Sequence, residues 1–263
     1  MATDGFDSIS RTAAWIDEPV TGFLSVFTFP VDDVSPPAWV PADSSMYLTG
    51  NWDVERAYTS VESLYDTIMG AGRFNAGIQK IAANEPKVHI KLDLIDTLDG
   101  KIHLMQSNLN AGEESLNGSA LVAFEVTDQQ KAEELLEKVA SMQGSPFESR
   151  TYRDTKIWAM KLKAPRNGPS VAVAHDCIFL SSDEGLLESA IRADGDVKRL
   201  ADDKSFLHHT SRMPDRVSMF GIQRSDQQMR ALYKLLKAGG PGGGDAPDPA
   251  TLPEFDLIKH YFL

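Results

Sequence analysis

At 263 residues, with 42% hydrophobic and 24% charged residues, the chain suffices for one large domain or two small ones and can bury a real core. Its 26 basic residues face 38 acidic ones, a formal net charge of −12 spread along the sequence without any Lys/Arg cluster. That excludes a phosphate-neutralising nucleic-acid surface and disfavours anionic membrane surfaces. Cys177 is the single cysteine, so neither an internal disulfide nor a Cys-rich metal site can form.

Residues 1–37 read as an N-terminal segment that docks on the main body or on further parts of a longer chain. Its opening, MATDGFDSIS, is polar and carries no basic-then-apolar signal. The alternation Phe23, Ser25, Phe27, with Phe29 beyond, predicts a strand with one apolar face. The apolar neighbourhood from Gly22 to Val31 is too short to span a bilayer, so direct membrane insertion by this segment is not expected. Pro36-Pro37 stiffens the passage onward.

Residues 38–118 form a first half. Strand SMYLTGN leads to a helix beginning near Asp53, with Ala57, Val61, Leu64, Tyr65 and Ile68 at helical spacing and Gly70 and Gly72 as the stop. A second helix near residues 73–83, a short one around LDLIDTL, strand KIHLMQS and a loop from Asn108 to Ser119 follow. Residues 119–238 form a second half that opens on strand ALVAFEV. Its helix sets Ala132, Leu135, Leu136, Val139 and Ala140 on one stripe. SRTYRDTKIWAMKL and SVAVAHDCIFLSS each read as two strands around a polar turn, at Asp154-Thr155 and His175-Asp176. Helix GLLESAIRA, strand VSMFGIQ and helix QMRALYKLLKA complete it.

Tight hairpins force antiparallel pairing. The expected class is therefore α+β: mostly antiparallel sheets, amphipathic helices packed on one face, and two similar-sized halves. Residues 239–250 are a Gly/Pro linker. Residues 251–263 start an apolar element and stop on Tyr261-Phe262-Leu263, as a truncated C-terminal element would, so the chain reads as a fragment.

Strand-to-helix corners repeat the pattern of a small polar residue followed three positions later by Gln or Glu: Thr127/Gln130, Ser181/Glu184 and Ser225/Gln228, with a looser version at Asn51-Trp52-Asp53. This is the spacing of a capping box, in which a hydroxyl accepts from an orphan helix N–H while the Gln or Glu reaches back. It predicts occupied corners rather than binding sites.

Candidate chemistry is sparse. His175-Asp176-Cys177 is the one place where a base, an acid and a thiol are adjacent, and across a hairpin His175 and Cys177 could pair as base and nucleophile. Cys177 also opens the apolar run CIFL, where a free thiol packs as a small hydrophobe, so no catalytic residue is assigned. His208-His209 lacks metal-ligand spacing, and nothing in the sequence brings His89 to His103. Asp93, Asp96 and Asp99 interleave with Leu92, Ile95 and Leu98, the pattern of a half-exposed helix rather than a Ca²⁺ loop. The Gly-rich run has no phosphate-binding context. Trp39, Trp52 and Trp158 flank strands and are expected in the core. No metal and no cofactor are expected.

The blocks PPAWVPADSSMYLTGNWDVERAYTSVESLYD, LVAFEVTDQQKAEELLEKV, DTKIWAMKL and LPEFDLIKHYFL, in that order, resemble a bacterial family of unknown function found in large exported proteins. The resemblance covers most of residues 13–263. It implies a multi-module envelope or periplasmic setting, hence an extracytoplasmic location, and brings no catalytic or binding residues. The leading expectation is a non-catalytic structural or binding module whose partner is a protein or the remainder of a longer chain. The alternatives are a thiol-dependent hydrolase centred on His175 and Cys177, and a small-ligand or lipid-binding pocket between the two halves.

Overall fold

The computed structural model describes residues 22–33, 35–84, 86–107, 110–111, 116–142, 144–160, 168–193, 198–211, 213–214, 216–237 and 251–258. The chain runs through β1 (Asp32–Asp33), β2 (Met46–Asn51), α1 (Val54–Met69), α2 (Arg73–Ala82), β3 (Leu98–Gln106), β4 (Asn110–Ala111), β5 (Leu116–Asn117), β6 (Ala120–Val126) and α3 (Gln129–Ala140). It continues through β7 (Phe147–Tyr152), β8 (Thr155–Met160), β9 (Ser170–Ala174), β10 (Cys177–Ser181), α4 (Glu184–Arg192), α5 (Lys204–Thr210), β11 (Arg216–Val217), β12 (Met219–Gln223), α6 (Ser225–Lys237) and α7 (Phe255–Ile258).

Eight of these strands make one sheet in the order β12-β2-β3-β6-β10-β9-β8-β7, and every neighbouring pair is antiparallel. The protein is thus α+β, the class the hairpins demanded. The boundary expected between residues 118 and 119 falls between β3 and β6, which are hydrogen-bonded neighbours in this sheet. Two hairpins turn through Arg153-Asp154 and His175-Asp176, with all four residues at positive φ. That is the type I′ geometry whose twist matches the flanking strands.

Helices lie against both faces of the sheet rather than one. Leu187, Ala190 and Ile191 of α4 pack into the cluster of Tyr47, Met105, Leu121 and Phe179. Ala132 and Leu136 of α3 pack with Val173 and Ile178 on the opposite side. The reason is visible in β9 (SVAVA) and β10 (CIFLS): apolar side chains occur at successive positions, so each strand presents them to both faces and both need cover.

The aromatic stretch at the N-terminus is a 3₁₀ helix over Gly22–Phe27, not a strand. Gly22 enters at φ +64°, the Ser25 hydroxyl donates to Gly22 O at 2.5 Å, and the Thr28 hydroxyl donates to Ser25 O at 2.8 Å. These three-residue closures tighten the chain before any strand partner is reached. The segment is tied to α1 by Ser25 to Ser60 (2.8 Å), and the Trp52 indole N–H donates to Val26 O (2.8 Å). Phe23 and Phe27 meet edge to face at 5.3 Å and remain 59% and 57% exposed.

The short helix expected around LDLIDTL is a π turn (Ile90–Leu94) running into a 3₁₀ turn (Ile95–Thr97), after which β3 begins. Asp93 accepts from the His89 backbone N–H at 2.8 Å, closing the wide turn on itself. Gly100 is required at the following bulge. Its φ is +100°, and a Cβ there would sit 2.6 Å from Trp52 O.

Helix caps are carboxylates rather than the expected hydroxyls, Asp128 one residue after Thr127 and Asp183 two after Ser181, with Asp53 capping the looser corner. Asp53, Asp128 and Asp183 accept from Arg56, Lys131 and Leu186 N–H at 2.9, 3.1 and 2.8 Å. Thr127 Oγ1 instead donates to Thr97 O, and Ser181 Oγ bonds the Asp183 main chain. Gln130 turns to Glu134 and Glu184 to Arg150, so neither box closes. The Ser225/Gln228 side chains, residues 1–21, the 239–250 linker and Tyr261-Phe262-Leu263 lie outside the described residues.

Candidate functional site

Strand register brings one polar row together on the α4 face. Thr49 of β2 lies opposite His103 of β3, and His103 opposite Ala123 of β6. Glu125, two residues along β6, shares that face and pairs in register with Cys177 of β10. His103 is 1% exposed. Its Nε2 meets Glu125 Oε1 at 3.0 Å, and its Nδ1 faces the hydroxyls of Tyr47 and Thr49 at 3.0 Å each. With Glu125 as acceptor, Nε2 carries a proton toward it. That hydrogen bond holds the Glu125 carboxyl below its ordinary pKa and outweighs its partial burial. Burial pushes the Tyr47 phenol well up. Trp39 closes the row, edge to face with His103 at 5.5 Å and with Phe179 at 5.0 Å. Both ring nitrogens of His103 are satisfied, whereas the buried Trp39 indole N–H has no hydrogen-bond partner among the described residues, and the network reaches solvent at Glu125, whose side chain is 28% exposed.

His175 and Cys177 sit on the β9–β10 hairpin, and their side chains are engaged in different places. The exposed His175 meets the Ile191 carbonyl at 2.9 Å through Nε2, capping the C-terminal end of α4. Cys177 is buried among the α4-face core residues. Burial pushes its thiol up to about 12, and the Glu125 charge adds to the effect. An activated nucleophile needs the opposite shift. His209 bonds Ser205 O within α5, and His89 accepts from Leu92 N–H at the π turn. Among the described residues no group of three or more His, Cys, Asp or Glu is placed to hold a metal ion.

The opposite face of the sheet carries a different feature, an apolar groove of about 480 Å³. Its floor is Leu98 of β3, Phe124 of β6, Ile178 and Leu180 of β10, Val171 of β9 and Trp158 of β8, with Phe147 of β7 at the far edge. One wall is the Leu135, Leu136, Val139 and Ala140 stripe of α3; Leu94, Ile95, Trp52 and Val54 close the near end. No ionisable side chain is among its lining residues. Leu180 on the floor is 42% exposed and Val139 on the wall 37%. The lining is drawn from distant parts of the sequence, Trp52 to Leu98 on one hand and Phe124 to Leu180 on the other. Trp39 and Trp158 are buried in the core as expected, Trp158 also lining the groove, while Trp52 lines the groove without being fully buried.

Two acidic hollows share lining residues with the groove. The hollow beyond Trp52, Val54, Ile95 and Leu98 is also lined by Asp53, Glu55, Asp96 and Asp99. The one beyond Trp158 is lined by Glu133, Glu134, Glu137 and Asp154 with Lys156. Lys91 pairs with Glu55 and Asp96, and Lys156 pairs with Glu137 and stands over the Trp158 ring.

An antiparallel α+β protein with a His103-centred polar network on one sheet face and an open apolar groove on the other is the class defined here. Residues 98–219, from the start of β3 to the start of β12, match the model of a family described as a protein of unknown function (DUF3352). That stretch holds the whole groove floor and all of its α3 wall. No curated protein and no solved structure matches the chain. No helix among the described residues is long and apolar enough to cross a membrane.

Proposed function

We propose that this protein is a non-catalytic binding module that takes an apolar ligand or segment into the groove between α3 and the sheet. The carrying observation is the lining, apolar throughout yet open to solvent, which leaves side chains such as Leu180 and Val139 unburied. A groove of this size is within the range of ligand sites. Each leucine-sized side chain buried there contributes about 2 kcal/mol before the cost of association is subtracted. A binding role is supported over a reaction by the engagement of His175 with Ile191 and by the raised Cys177 thiol. The sequence resemblance supports a place in a larger exported bacterial protein, which cell fractionation of the source organism tests.

The test uses Nile red, an uncharged dye that brightens in apolar surroundings. Saturable binding with energy transfer from Trp52 and Trp158 is the expected result. The double variant Val139→Asp/Leu180→Asp should weaken it about tenfold with little change in the urea midpoint, because both side chains are already part-exposed. Binding that ignores these substitutions, or no saturable signal, overturns the proposal.

A further inference from the structure

We infer that the outer edge of β12 receives an extended, uncharged segment of a partner protein, which adds a strand to the sheet and sends an apolar side chain into the hollow beside α5. β12 ends the sheet and pairs within it with β2 alone. The bonds from Asn51 N–H to Ser218 O (3.2 Å) and from Arg224 N–H to Ser45 O (2.8 Å) join residues that face each other in the β2–β12 register, so Phe220 and Ile222 between them also bond to β2. Met219 and Gly221 therefore direct N–H and C=O away from the sheet. Both residues are exposed, and among the described residues no main-chain group meets them there. Donors and acceptors in that row are matched by another strand.

The surroundings select what the strand carries. A hollow of about 740 Å³ lies between β11–β12 and α5, with Phe206, Leu207, Met213, Met219 and Phe220 in its lining. Phe220 shares the core of the α4 face with Phe206 and meets it edge to face at 5.8 Å. Leu207, Met213 and Met219 are 50%, 42% and 48% exposed, and thioethers adapt to varied apolar partners. In an added strand the residue opposite Phe220 takes the same face and enters this hollow. The β12 sequence, MFGIQ, has no charge to compensate one brought against it, and Gly221 leaves room for close main-chain approach. At the other end of the sheet β7 (FESRTY) carries Glu148 and Arg150, the kind of charged edge that discourages strand addition. The hollow and the apolar groove share no lining residue, so this site is independent of the groove.

The experiment selects peptides of about eight residues from a random displayed library on the full chain and titrates the enriched ones. They are expected to carry uncharged apolar residues at alternate positions. N-methylating the alternate amides along one side of such a peptide should weaken binding at least about tenfold, and methylating the other side should leave it intact. Gly221→Pro removes an outward N–H and no bond to β2, and should also weaken binding at least about tenfold. Leu207→Asp/Met213→Asp, at side chains already part-exposed, should do the same with little change in the urea midpoint, and carries the test if Gly221→Pro does not fold. Ser149→Pro on β7 and Val139→Asp/Leu180→Asp in the groove should leave binding intact. The inference fails if no peptide is enriched, if methylation on both sides acts alike, or if either control weakens binding as much as the β12 and α5 changes do. It also fails if the chain alone sediments as a dimer that Gly221→Pro dissociates, since a second copy is then the occupant of that edge.

Discussion

Glu125 and His103 illustrate what single side chains contribute here. An imidazole 1% exposed has to satisfy both ring nitrogens, and this one does so with a carboxylate on one side and two hydroxyls on the other. Replacing His103 with Phe leaves three polar groups to find new partners and should cost about 2–4 kcal/mol in urea unfolding. Glu125 adds a pH dependence of definite sign. Its pKa is lower folded than unfolded, so the stabilisation is fully present above its ordinary value of roughly 4.3 and is lost as pH falls through the folded value. Urea midpoints of wild type and Glu125→Gln should differ at neutral pH and converge in acid. A wild-type advantage that grows on acidification would contradict the pairing. The network was not legible from sequence, because His103 and Glu125 are ordinary strand residues until the register between β3 and β6 places them together.

At the scale of elements, the corners show both the reach and the error of pattern reading. The spacing marked the corners before α3, α4 and α6 and only a looser pattern marked the one before α1, but it chose Thr127 and Ser181 as caps where Asp128 and Asp183 do the work. Each corner offers a hydroxyl and, one or two residues on, a carboxylate able to cap. The hydroxyls are engaged elsewhere, Thr127 with Thr97 O and Ser181 with the Asp183 main chain, leaving the carboxylate to meet the helix N-terminus and its partial positive charge. Asp53→Ala, Asp128→Ala and Asp183→Ala should each cost about 1 kcal/mol, and Gln130→Ala close to nothing, by urea unfolding. The aromatic stretch fails for a related reason. Phe23 and Phe27 satisfy a period of two and a spacing of four alike, and the Ser25 hydroxyl, which period counting ignores, closes the turn.

For the whole molecule, the α+β class and most elements follow from hairpins and stripes, whereas the groove does not. Each of its residues is a normal member of an apolar stripe, and sequence reads all such residues as core. What makes a cleft is the missing neighbour: α3 covers part of its sheet face and stops short of Leu180. An occupant that touches Trp52 and Leu98 as well as Val139 and Trp158 bridges both halves and should stabilise the fold as one unit. At a free concentration about a hundred times its Kd, a groove ligand adds about 2.7 kcal/mol, seen as a raised Tm that the Val139→Asp/Leu180→Asp variant lacks.

The burial of Cys177 turns the chain's lone sulfur into an internal clock. A thiol shut inside the α4-face core meets a reagent only when that part of the sheet opens, so its labelling counts excursions of the native state toward openness. With no second cysteine to confuse the count, each adduct marks one such event.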